Sequence, residues 1–142
     1  MFRNIVVAVD QSRSRHSALR AAGEMARLTG AKVQVVHVAA SAIAWNSVVR
    51  LEEDVEADET LKEALAALRE MGIGADGETV RAMDRQVPHV IAQFTERVGA
   101  DLLVLGPHHR GAVAAFFNPR VSDAAAHATR IAVLLAPEPG TD

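Results

Sequence analysis

A chain of 142 residues, 49% hydrophobic and 23% charged, is long enough to bury a sizeable core, and is expected to form one domain over residues 1–137 with a flexible tail at 138–142. Its net charge of −3 supplies no global basic field for nucleic acid or an anionic membrane, and the absence of cysteine excludes disulfides, thiolate metal sites and a cysteine nucleophile. Asp10 interrupts the N-terminal apolar run too early for a signal peptide, and no run approaches the ~18 residues of a membrane span, so a cytoplasmic location is expected.

Ile5 to Val9 is a continuous β-branched run of the kind buried on both faces of a parallel sheet. Ser12 or Ser14 can cap a helix that runs to about Thr29, with Leu19, Ala22, Met25 and Ala26 on one face and Gly30 as its stop. Lys32 to Val38 reads as a second buried strand, whose closing residue His37 is expected to be packed or hydrogen-bonded. Ala39 to Arg50 has no clear period and holds the only tryptophan, Trp45, which suggests a lid or binding loop, or a partly helical stretch. Leu51 to Met71 has helical spacing through Leu61, Leu65 and Leu68. The carboxylates of its first half (Glu52, Glu53, Asp54, Glu56, Asp58 and Glu59) read as a solvated face that complements the helix dipole.

Ile73 to Ala82 is a third strand, interrupted in pattern by Gly74 and Gly77. A helix from about Gln86 to Val98 follows, with Pro88 in its first turn and Val87, Ile91, Phe94 and Val98 as its stripe. Leu102 to Leu105 is a short buried strand ending at Gly106. After a polar loop a fourth helix reaches about Ala128, and Ile131 to Ala136 is the last strand. Five apolar strands alternating with four helices predict an α/β fold, a mostly parallel open sheet with right-handed crossovers and helices on both faces. Ligands of such sheets sit beyond the carboxyl ends of the strands. The segments arriving there are Val9-Asp10-Gln11, Val38-Ala39, Ala82-Met83-Asp84 and the Gly106 loop.

Three stretches together resemble the universal stress protein A family over nearly the whole chain. They are IVVAVDQSRSRHSAL (Ile5 to Leu19), His37-Val38 at the end of strand two, and ADLLVLG (Ala100 to Gly106) followed by Val121-Ser122-Asp123 and the Ile131 to Leu135 strand. The resemblance implies a Rossmann-like five-stranded parallel sheet in the order 3-2-1-4-5. It also implies a homodimer, here through the Ile131 to Ala136 edge strand, which would otherwise be an exposed apolar edge. Nucleotide-binding members carry Gly-x-x-Gly, nine residues, then Gly-Ser or Gly-Thr. In this chain Gly106 keeps the first glycine, His109 and Pro119 stand at the second and third, and Arg120 stands at the hydroxyl position. Histidine resists the backbone angles a glycine takes, and proline has no N–H to donate to phosphate. The base-side positions implied by the resemblance are kept as Asp10 and Val38, whereas Met83 stands where a glycine is common.

Two readings of the altered loop follow. Arg110 and Arg120, helped by His108 and His109 at low pH, can hold an anion such as the phosphate of ATP or AMP through side chains. Alternatively the loop is solvated, and Asn118-Pro119 is simply a helix N-cap and first helical residue. A metal site from His108, His109 and His127 lacks helical ligand spacing, and Ser122, Asp123 and His127 lack the elbow of a serine hydrolase. No catalytic residue and no metal site is assigned. The leading expectation is a non-enzymatic stress-response protein with a degenerate ATP loop, acting through protein partners or another small ligand. The alternative is an adenine-nucleotide-binding regulator. A hydrolase or transferase rests on fold analogy alone.

Overall fold

The computed structural model describes residues 2–106 and 131–137. Its elements in chain order are β1 (Asn4–Val9), α1 (Ser14–Thr29), β2 (Lys32–Ala44), β3 (Ser47–Arg50), α2 (Asp54–Glu70), β4 (Ala75–Met83), a short 3-10 turn at Asp84–Gln86, α3 (Val87–Arg97), β5 (Leu102–Leu105) and β6 (Ala132–Leu135). The expected fourth helix and the 138–142 tail lie outside the described residues.

β4, β2, β1, β5 and β6 lie side by side, all parallel, which is the expected 3-2-1-4-5 order of the five strands. A sixth strand makes the sheet mostly rather than wholly parallel, as expected, and adds one strand to the five. β2 runs six residues past Val38, to Ala44, and folds back through Trp45 and Asn46 into β3, which pairs with it antiparallel. The stretch expected as a loop is therefore a β-hairpin. Trp45 and Asn46 take φ of 52° and 61°, the left-handed conformation that a two-residue turn needs to match strand twist. Asparagine adopts it readily, but tryptophan is no signal for it, so the turn was hidden. Ser41 pairs with Met83 on one side and Arg50 on the other, so β3 takes up the edge of β2 above the end of β1.

The strand residues alternate between two buried layers. Ile5, Val7, Val9, Val33 and Val35 pack against α1 and α2, and Val6, Ala8, Val36, Val38, Leu103 and Leu105 pack against α3. Ile91 and Phe94 anchor α3, with Val87 and Val98 half-buried beside them, as the stripe predicts. Gly77 does not break β4 as its pattern suggested. A Cβ there would stand 2.6 Å from Leu61 Cδ1 and 3.1 Å from Val35 O, so the glycine is the space into which α2 packs. Met71 fills the corresponding space over Gly23 of α1, 2.5 Å from where a Cβ would be.

Neither Ser12 nor Ser14 caps α1. The capping position is Arg13 and carries no side-chain bond, because both hydroxyls are engaged elsewhere. At its other end Gly30 closes the helix with φ of 74°, its N–H donating to Ala26 O. α2 begins at Asp54, three residues later than the spacing predicts, because Leu51 and Glu52 are held by the body of the domain.

Candidate functional site

Asp10, Val38 and Gly106 each follow directly on or lie within the carboxyl-terminal part of a neighbouring strand: β1, β2 and β5. The ladder pairs Val9 with His37 and Ala8 with Leu105, so the three residues arrive side by side at one end of the sheet. Asp10 is half-buried, whereas Val38 and Gly106 are buried. Val38 sits on the short piece of β2 that β1 no longer covers and β3 does not yet reach.

A chain of hydroxyl groups, not foreseen as such, ties these segments together. Asp10 Oδ1 accepts the Ser12 N–H at 2.8 Å and also the Ser12 hydroxyl, and Ser12 Oγ stands 2.6 Å from Ser14 Oγ. This is the local turn that an aspartate makes with the backbone two residues on. Ser14 in turn touches the glycine loop. A Cβ on Gly106 would lie 3.3 Å from Ser14 Oγ and 3.6 Å from Ser14 O, so glycine is what lets the end of β5 pass the first turn of α1. The signal in the sequence was Asp10-x-Ser12-x-Ser14, legible as a turn but not as a bridge to Gly106.

His37 behaves as expected of a packed strand end, and its partner is a correction. Its ring is buried, with Nδ1 2.9 Å from Val9 O and Nε2 2.8 and 2.9 Å from the two carboxyl oxygens of Glu52. A carbonyl oxygen only accepts, so Nδ1 carries a proton and donates it, and the Nε2 contact requires a second proton between ring and carboxyl. Glu52 therefore does not belong to the solvated acidic face. It is 7% exposed and turned inward before α2 begins. Arg81 of β4 holds the same segment, donating to Glu52 O at 2.7 Å and to Asp54 Oδ1 at 2.6 Å. The hydrogen bond from Arg81, with the charge of Arg50 next, holds the Asp54 carboxyl below its usual range.

Beside the turn after β1 lies a pocket of about 220 Å³ lined by Gln11, Arg15, Glu56, Glu59, Thr60 and Glu63. Its three carboxylates repel phosphate, and Arg15 is drawn to Glu63 at 3.5 Å. Among the described residues no group of three or more His, Asp or Glu is placed to hold a metal ion. His16 and His89 are exposed, on α1 and α3. His108, His109, Arg110, Pro119 and Arg120, together with Ser122, Asp123 and His127, lie outside the described residues, so the anion, metal and hydrolase readings placed on them lie there too.

This arrangement has known counterparts. The sequence model of the Universal stress protein family matches residues 1–137. The chain belongs to that family. A curated relative, universal stress protein A homolog 1 of Coxiella burnetii, is 28% identical over 115 residues, covering 78% of this chain and 80% of the relative. Among solved structures, the universal stress protein from Archaeoglobus fulgidus in complex with dAMP superposes with a TM-score of 0.66 at 26% identity, over 95% of this chain and 98% of that one. A universal stress protein family member from Burkholderia pseudomallei gives 0.66 at 22% identity, over 95% and 96% of the two chains, and shows the shared fold. Among the described residues no helix of this family member is long and apolar enough to cross a membrane.

Proposed function

We propose that this universal stress protein is a non-enzymatic regulatory protein that has lost the triphosphate grip of nucleotide-binding relatives while keeping the scaffold around it. One observation carries the reading. The strand end that should lead into a phosphate loop is intact, with Gly106 packed on Ser14, yet the later positions hold His109, Pro119 and Arg120. Proline has no N–H to donate to a phosphate, and arginine replaces a small hydroxyl with a long cation. The carboxylates that line the pocket beside the turn after β1 add a negative field close to the same sheet end. Calorimetric titration of ATP, AMP and inorganic phosphate into the full chain tests this. No heat with ATP at about a thousandfold above a micromolar Kd is the expected result, and stoichiometric micromolar ATP binding contradicts it.

The second reading, an adenine-nucleotide-binding regulator, draws on the adjacency of Asp10, Val38 and Gly106 and on the dAMP complex of the relative from Archaeoglobus fulgidus. Arg110 and Arg120, with His108 and His109, then replace the glycine loop as a softer, salt-sensitive anion site. Under this reading ATP or AMP binds saturably at micromolar concentration, and Arg120→Ala weakens that binding more at low salt than at high salt. Both readings include a homodimer paired through the edge of β6, whose outer side carries no further strand among the described residues.

A further inference from the structure

The hairpin formed by the end of β2 and β3 has no part in the site above, yet it concentrates the exposed apolar surface of the domain. Trp45 at its tip is 97% exposed, and Ile43, Val48, Leu51 and Val55 are all more than half exposed. Ile43 stands across from Val48 on one face of the hairpin, and Ala42 across from Val49 on the other, so both faces are apolar. Large apolar side chains gathered on one exposed element mark an interaction site rather than the single scattered apolar residues of an ordinary surface. Three charged groups beside it are paired with one another: Asp54 bonds Arg50 at 2.9 Å and Arg81 at 2.6 Å.

The backbone adds a second, independent feature. In an antiparallel ladder alternate residues turn their N–H and C=O groups to opposite sides. The Leu51 N–H donates to Ala40 O at 3.1 Å, so Leu51, Val49 and Ser47 face β2. Val48 and Arg50 then direct theirs to the other edge, where no strand pairs among the described residues.

We infer that this edge is a two-fold interface with a second copy of this chain, made by antiparallel pairing of the two β3 strands. Two-fold symmetry requires that opposed residues belong to the same class. The register that engages both outward residues sets Val48 against the partner's Arg50 and puts Val49 on the axis, facing the partner's Val49. It also carries Trp45 past the partner's Leu51 towards the partner's Val55, so the apolar tip of each hairpin meets the apolar base of the other. The interface is separate from the edge of β6, which pairs with β5 alone among the described residues. A chain using both edges assembles beyond a dimer.

The lack of cysteine makes a direct test available, because a single introduced thiol reports alone. Val49 pairs with its symmetry mate in the non-hydrogen-bonded class, where Cα atoms are about 4.5 Å apart, within the ~4.4–6.8 Å that a disulfide spans. Under mild oxidation Val49→Cys should convert almost fully to a disulfide-linked dimer, while Leu28→Cys, 81% exposed on α1, should stay a monomer on a denaturing gel. Light scattering provides a second measurement: Trp45→Ser with Val48→Thr should halve the native mass and leave the circular dichroism of the fold unchanged. Cross-linking at Val49 no faster than at Leu28, or a native mass that the double variant leaves unaltered, overturns the proposal. A hairpin that serves a different protein or a lipid surface would give those results.

Discussion

The two ends of the sheet handle their polar groups in opposite ways. At the amino end Asp101, just before β5, accepts the N–H groups of Arg3 and Asn4 at 2.9 and 3.1 Å, and its own N–H donates to Asn4 O at 2.9 Å. Asn4 Nδ2 reaches Val98 O at 2.7 Å, and Asp101 O receives the Ala132 N–H, so β1, β5 and β6 are tied where they start. At the carboxyl end the bonds run between loops and turns: Asp10 to Ser12 to Ser14, and Val9 O to His37 to Glu52. Glycines and hydroxyls there bring segments close without filling the space with side chains. The amino end is a clasp and the carboxyl end is a platform, which is where open α/β sheets place ligands.

The contrast can be broken most severely at His37. Replacing it with alanine leaves the Glu52 carboxyl buried without its partner, which should cost about 3–5 kcal/mol of unfolding free energy in a denaturant titration. His37→Leu combined with Glu52→Leu should recover most of that loss, because a matched apolar pair carries no uncompensated charge. A double variant as unstable as the single one would show that the pair does more than satisfy itself. At the other end Asp101→Ala strips acceptors from two N–H groups, and a loss of about 2–3 kcal/mol is expected by the same measurement. This second change should leave ligand binding untouched, since it lies at the opposite end of the strands.

These two residues also show what could and could not be read from the chain. The strands themselves were legible because β-branched runs such as Ile5 to Val9 are buried on both faces and carry an unmistakable pattern, whereas their order was implied only by the family resemblance. That Asp10, Val38 and Gly106 come to the carboxyl ends of neighbouring strands was legible because strand ends are legible. Glu52 was not, since its neighbours Glu53, Asp54 and Glu56 are exposed and only tertiary contact with His37 distinguishes it. Asp101 stands in the ADLLVLG stretch with nothing local to mark its role, because its partners Arg3 and Asn4 lie almost a hundred residues away. The hairpin was missed for a local reason: Trp45-Asn46 replaces the Asn-Gly signal on which such turns are usually read.

A smaller effect sharpens the picture of how the hairpin base is fastened to the platform. Arg81 lowers the Asp54 pKa through a direct hydrogen bond. A carboxylate whose folded pKa lies below its unfolded value stabilises the fold above the ordinary carboxylate range, and loses that contribution as pH falls through the lowered folded value. Arg81→Ala should move the Asp54 titration upward towards the ordinary range, read by NMR, and any loss of global stability should come from the lost bonds to Glu52 O and Ala40 O, since the pair with exposed Asp54 contributes little.

The central claim is that the platform persists while the phosphate grip has been lost at three positions. The most direct measurement restores them together, as His109→Gly, Pro119→Gly and Arg120→Ser, and compares ATP binding with the unmodified chain by calorimetry. The account predicts no ATP heat in the unmodified chain and saturable binding in the restored one. ATP binding by the unmodified chain that is as tight as, or tighter than, that of the restored chain would contradict it.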